Sequence, residues 1–380
     1  MCTSDEAQQE KIAREERRAD WLRLSLVVGI GPRNLRQLVD HFQSPGEVLT
    51  ASRSALQEVP GIGPKLSQSI VEAREIIDVE SELAICRTNE IDVCTLEDDS
   101  YPRMLREIPD APPVLFVRGS FSGADLLSIA VVGSRHATHY GKTQARRLAG
   151  SLARAGLTVV SGLARGIDAA AHHGALEAGG RTIAVLGGGL LSLFPPEHEP
   201  LAREVAASGA VVSEFPPLME PQSGFFPQRN RIISGISLGT IIVEAAQRSG
   251  ALITARHAYE QGREVFAVPG PIDSRASRGP HALIRDGARL VESVDDVLEE
   301  LGPLVEAVPQ DDGPEVRHPA ELQLNETEQR VLSAVGEQPT SIDAVTAAAK
   351  LPIPRVLATL SVLESRHLVR RVSGQQVVRV

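Results

Sequence analysis

Five short Gly/Ser-rich stretches hold most of the chemistry this sequence can offer. They read VVGSRHATHYGK from Val131, SGLARGIDAAAHHGAL from Ser161, LGGGL from Leu186, SEFPP from Ser213 with GFFPQRNRIISG after it, and QRSGALITA from Gln247. In the first, Gly133 lets the backbone approach a ligand, Ser134 offers a hydroxyl and Arg135 supplies a forked cation suited to phosphate. In the second, Ser161, Gly162 and Gly166 form a small-residue turn beside Arg165, opening a helix whose N-terminus favours an anion. The fourth puts Phe226, Arg229, Asn230 and Arg231 on one loop or helix start, and the fifth places Ser249 and Gly250 ahead of another helix. Phe226 suits either stacking on a base, as single-strand binders require, or anchoring the core. Glu244 can equally contact a ribose or pin an arginine. Asp168 reads as a first-turn carboxylate that complements the helix dipole, and His172 and His173 as structural or exposed helix residues.

These residues assemble no reaction. No Walker GxxxxGK[ST] or GxGxxG occurs, which argues against a P-loop ATPase and a nicotinamide enzyme. Three cysteines (Cys2, Cys86, Cys94) without a CxxC pair or clustered histidines predict neither disulfide staples nor a metal site, and no cofactor is expected.

The elements that must position these groups follow from periodicity. Short apolar runs at 129–132, 157–160, 182–186, 210–213, 239–243 and 264–268 alternate with helical segments such as 142–155 and 166–178. That pattern predicts βαβ units, right-handed crossovers and a doubly wound parallel α/β sheet. Ligands bind outside the carboxyl ends of such strands, so the Gly/Ser-rich stretches should share one rim. Arg135, Arg165, Arg229 and Arg231 beside that rim would make a cradle for several phosphates.

At 380 residues the chain is long enough for two to three domains. Residues 1–97 read as a helical domain with an internal echo, VVGIGPRNLRQLVDHF (27–42) and VPGIGPKLSQSIVEA (59–73). Each copy resembles a helix-hairpin-helix module, although capped helix starts in a small bundle would read the same. Residues 98–298 hold the parallel α/β domain, 299–324 an acidic linker, and 325–380 three helices and a hairpin in a winged-helix-like pattern. The formal charge of −10 argues at first against a nucleic-acid partner, but its distribution overrules the total. Glu292 to Glu321 carries ten acidic residues and one basic one, whereas 129–291 has seventeen Lys/Arg against twelve Asp/Glu. No run approaches the roughly 18 apolar residues of a membrane span, and the charged first 20 residues do not form a secretory apolar region, so no membrane association and a cytoplasmic location are expected.

Taken in order, VVGSR, SGLARGID, AVLGGGL, SEFPP, FFPQRNRIISG, VEAAQRSGALITA, REVFAVPG and LIRDGA resemble the DNA-processing protein A family (DprA/Smf) over residues 98–295. The resemblance implies an extended Rossmann domain that binds single-stranded DNA in a basic pocket, protects it, helps load RecA recombinase during uptake of transforming DNA, and forms a homodimer. It carries phosphate binding onto Gly133, Ser134, Arg135, Ser161, Gly162, Arg229, Asn230 and Arg231, and onto Arg165, where the family commonly has lysine. The chain departs from the family at Leu191 and Phe194, where Asp and Tyr-Pro are common, and at Pro280 and His281, where Thr-Asn is usual. A different reading comes from Gly239, Thr240 and Glu244, similar to the PGGxGTxxE of lysine-decarboxylase-like nucleotide phosphoribohydrolases; here the Pro-Gly-Gly is missing.

Overall fold

A computed structural model of the chain describes residues 3–302, 326–336, 338–365, 368–373 and 376–379. The acidic linker expected from 299 lies outside the described residues from 303 onward; its first residues close a helix. In chain order the helical N-terminal unit comprises α1 (Thr3–Ser25), α2 (Pro32–Phe42), α3 (Pro45–Thr50), α4 (Arg53–Gln57), α5 (Pro64–Ile76) and α6 (Val79–Thr88). The α/β unit follows with β1 (Asp92–Thr95), α7 (Arg103–Arg106), β2 (Val114–Gly119), β3 (Ser128–Val132), α8 (His139–Arg154), β4 (Thr158–Ser161), α9 (Ile167–Glu177) and β5 (Thr182–Val185). It continues with α10 (Glu199–Ser208), β6 (Ala210–Ser213), α11 (Phe225–Ile236), β7 (Gly239–Ile242), α12 (Gly250–Glu260), β8 (Glu264–Ala267), α13 (Arg278–Arg285), β9 (Arg289–Leu290) and α14 (Val294–Leu301).

The sequence echo in the N-terminal unit becomes a structural echo. Gly29 and Gly61 take φ of 86° and 87°, Ile30 and Ile62 donate to the carbonyls of Val27 and Val59, and Pro32 and Pro64 open α2 and α5. Proline fits a first helical turn because the N–H it lacks has no partner there. This unit shares one apolar cluster with the sheet, in which Trp21, Leu22 and Leu38 belong with Phe116, Ala184 and Leu186.

The nine strands run in the order β1-β2-β6-β5-β4-β3-β7-β8-β9, parallel from β6 to β9 and antiparallel at β1 and β2. The sheet therefore begins ahead of the 97/98 boundary drawn from sequence. DVCT lacks the continuous apolar run that marks β3 to β8, and its pairing with β2 is what makes it part of the sheet. Alternation along β3 sends Ile129 and Val131 into the cluster with Leu148, Leu152 and Ala171, and Ala130 and Val132 into the opposite cluster with Ile232, Ile233 and Ala255. Helices accordingly cover both faces, α8 and α9 on one and α11 and α12 on the other, which is why these strands are buried throughout. β3 pairs with both β4 and β7, so the strand order reverses there and opens a crevice at their carboxyl ends.

Beyond the undescribed segment lie α15 (Glu326–Ser333), β10 (Thr340–Ser341), α16 (Ile342–Ala349), α17 (Ile353–Ser365), β11 (Val369–Ser373) and β12 (Gln376–Arg379). Three helices and a β10-β12-β11 antiparallel sheet close around Val331, Val345, Val356, Leu360 and Val377, a winged-helix domain with its own core.

A candidate nucleic-acid pocket at the switch point

A cavity of about 550 Å³ opens at the β3/β7 crevice. Its walls bring together Gly133, Ser134, Arg135, Phe226, Arg229, Asn230, Ser249 and Gly250 from separate stretches of sequence, with Asp168 at the start of α9. Ser249 caps α12 by accepting the N–H of Ala251, and the Asn230 side chain donates to the Gly250 carbonyl at 3.2 Å, which ties α11 to that cap. The Arg135 guanidinium lies 4.6 Å from the centre of the Phe226 ring, a cation–π contact at the mouth.

Arg229 forms the floor. It is 3% exposed and donates through Nη1 to the carbonyls of Gly162, at 2.9 Å, and Val185. Burial lowers its pKa to about 10, with Asp168 opposing the shift and Arg135 adding to it. Burial likewise pushes the Asp168 carboxyl up, against the pull of Arg229 and Arg135. Gly162 makes room for this pair, because a Cβ there would come within 2.6 Å of both Arg229 Nη atoms and of Asp168 Oδ2. Asp168 is thus a buried counter-charge to the pocket arginines as well as a first-turn carboxylate.

Other residues singled out from sequence stand apart. Arg231, two positions along α11, points away from the cavity, forking onto Glu214 with both contacts at 2.7 Å and donating to the Asp110 carbonyl at 3.1 Å. Ser161 is fully buried and donates to the Val131 carbonyl at 2.7 Å, a bond between neighbouring strands. Arg165 and Gly166 line an adjoining cavity, where Arg165 pairs with Glu197 at 2.6 Å. Glu244 faces inward, accepting the N–H of Thr138 at 2.9 Å and its hydroxyl at 2.5 Å, and is 3% exposed. It pins the start of α8 and presents no carboxylate to the pocket. His172 is fully buried against Thr182, and His173 borders the adjoining cavity. Sequence reasoning passed over Arg248, which is exposed on the pocket wall and makes no ion pair with the described residues. Its place directly before Ser249, in a stretch already marked, was the available signal.

Among the described residues no group of three His, Cys, Asp or Glu is arranged to hold a metal, and no single helix is long and apolar enough to cross a membrane. Burial raises the Cys86 and Cys94 thiols to about 11.

Comparison with known proteins agrees with this architecture. The family model described as DNA recombination-mediator protein A matches residues 92–302, the DprA winged helix domain matches 315–375, and a SAM-like helix-hairpin-helix tandem matches 22–75. Protein Smf of Synechocystis sp. is 36% identical over 95% of this chain and 98% of its own, and Protein Smf of Escherichia coli is 42% identical over 79% and 80%. The X-ray structure of DNA processing protein A from Streptococcus pneumoniae superposes with a TM-score of 0.64 at 36% identity, covering 74% of this chain and 97% of that one. With matches to all three of its domains and curated relatives aligned over 80% and 98% of their own length, the chain belongs to the DNA-processing DprA/Smf family.

Proposed function

We propose that this protein is a non-catalytic single-stranded DNA-binding protein that protects incoming DNA and helps load RecA recombinase onto it during natural transformation, acting in the cytoplasm as a homodimer. The observation that carries this reading is the switch-point pocket itself, where the guanidinium groups of Arg135 and Arg248, Ser134 and Ser249, and the half-buried Phe226 ring line one cavity. Cations hold phosphates, an aromatic face accepts any base, and the combination favours a single strand over a duplex, whose bases are stacked away. The inward placement of Glu244 favours DNA binding over nucleotide hydrolysis, because a hydrolase needs a carboxylate facing its substrate.

The test is fluorescence anisotropy of a labelled oligothymidine across a salt series, with a duplex of equal length as control. Wild type should bind the single strand and lose affinity with salt, and Arg135→Ala should bind roughly ten- to a hundredfold more weakly, the loss of one or two charge-assisted hydrogen bonds. Indifference of the wild type to DNA at low salt would overturn the reading. The RecA step is tested by RecA ATPase activity on oligothymidine already coated with a single-strand-binding protein: the wild type should restore it and Arg135→Ala should not. Light scattering checks the dimer.

A further inference from the structure

The most strongly charged feature outside the pocket is the groove between α8 and α9. α8 presents His139, Lys142, Arg146 and Arg154 at intervals of three, four and eight residues, which places them along one side of the helix. α9 crosses against α8 so closely that a Cβ on Gly174 would come within 2.9 Å of the Arg146 backbone, leaving a floor of glycine and alanine beneath the cations. One cavity of about 580 Å³ here is lined by Arg135, Lys142, Arg146 and Arg165 with no carboxylate in its walls. It adjoins a second of about 550 Å³, lined by Arg146, Arg147 and Arg154 and by Glu177. Arg135 belongs to both the pocket and the first of these cavities, and Arg146 to both cavities of the groove. The three form one basic track.

We propose that the α8–α9 groove holds a second stretch of single-stranded DNA backbone, reached from the pocket over Arg135. From His139 to Arg154 the helix rises ~22 Å. At the ~3.4 Å per nucleotide of a duplex strand that length covers about six phosphates, and fewer of a strand drawn out along the groove. No Phe, Tyr or Trp lines either cavity of the groove, whose only rings are the imidazoles of His139, His173 and His198, so its grip is chiefly on the backbone. Two carboxylates compete for its cations, Glu177 paired with Arg146 and Glu197 with Arg165, but both pairs are about half exposed and are therefore weak enough for a phosphate to displace. Lys142 makes no ion pair with the described residues.

This inference rests on the reading of the pocket above, and the experiment separates the two. Anisotropy is measured with a five-nucleotide oligothymidine, long enough for the pocket alone, and with one of about 25 nucleotides, for wild type and for the double variant Lys142→Gln/Arg146→Gln. The double variant should bind the short strand within about twofold of wild type. It should bind the long strand at least about tenfold more weakly, with a salt slope flatter by about 1.4, since two phosphates are no longer neutralised. The charge-preserving pair Lys142→Arg/Arg146→Lys should restore long-strand binding, which a folding defect would not allow. Wild-type affinity that does not rise with length, or a double variant that loses both lengths equally or neither, would overturn the groove and leave the pocket standing. Wild type that fails to bind even the short strand would overturn both.

Discussion

Arg231 and Glu214 form a forked ion pair, Nη1 to Oε1 and Nη2 to Oε2 each at 2.7 Å, with the Arg231 side chain only 5% exposed. Arg229, two residues earlier on the same helix, turns to the opposite side and becomes the floor of the pocket. Two arginines in the run QRNR therefore do different work: one joins α11 to the end of β6, the other sets the charge of the binding site. Burial lowers the Arg231 pKa while Glu214 and Asp110 raise it, and the ion pair wins.

Arg231→Ala should therefore cost stability, not affinity. Removing one partner leaves Glu214 as an uncompensated, nearly buried charge, worth about 3–5 kcal/mol. Urea denaturation should show that loss, while the folded fraction binds oligothymidine as wild type does. A large fall in affinity at unchanged stability would place Arg231 in the site after all.

The opposite pattern is expected of Arg135 and Arg248, both exposed on the pocket wall. Alanine at either position should leave unfolding within about 0.5 kcal/mol of wild type, as for surface substitutions generally. Each should weaken single-strand binding and reduce the slope of log K against log salt by about 0.7 for every phosphate that goes unneutralised. Salt titrations of the two single variants and the double read this directly.

Glu244→Gln probes the rival hydrolase reading. The carboxylate accepts two hydrogen bonds from Thr138 at the N-terminus of α8, so the amide, which keeps one acceptor oxygen, should destabilise the fold by about 1–3 kcal/mol. Neither wild type nor variant should release free base from nucleoside monophosphates, as followed by chromatography. Cleavage by the wild type that Glu244→Gln abolishes would reverse the assignment.

His172 should make stability depend on pH. The Thr182 hydroxyl donates to the Val159 carbonyl at 2.7 Å, so its oxygen accepts Nδ1–H of His172, also at 2.7 Å, and Nε2 is left buried without a partner among the described residues. Burial lowers the His172 pKa to about 3, with His173, His198 and Arg229 adding to the shift. The unfolded chain, titrating near 6.5, then binds more protons than the folded one between pH 6.5 and 3. The contribution is full above 6.5 and is lost as pH falls, at up to about 1.4 kcal/mol per pH unit. Comparing unfolding free energies of wild type and His172→Gln from pH 7 to 5 isolates this group, since other titrations are common to both. Parallel curves would contradict it.

The sequence alone determined the alternation of β3 to β8 with their helices, the repeated GIGP turns and the stretches that line the pocket, because each is written in local composition: apolar runs of strand length, glycine and serine at strand ends, proline at helix starts. What it could not determine were properties of pairing and direction. β1 and the two-residue β9 exist as strands only through their neighbours, and neither carries an apolar run of strand length. Whether Ser161 met a ligand or the Val131 carbonyl, and whether Glu244 faced a ribose or Thr138, depended on residues 30 and 106 positions away. Arg229 and Arg231 carry the same side chain two residues apart, and on a helix that separation of about 200° sends them to opposite sides. Which side held the pocket and which held Glu214 was decided by the packing of α11 on the sheet, where burial of Ile232, Ile233 and Ile236 fixes how the helix is rotated.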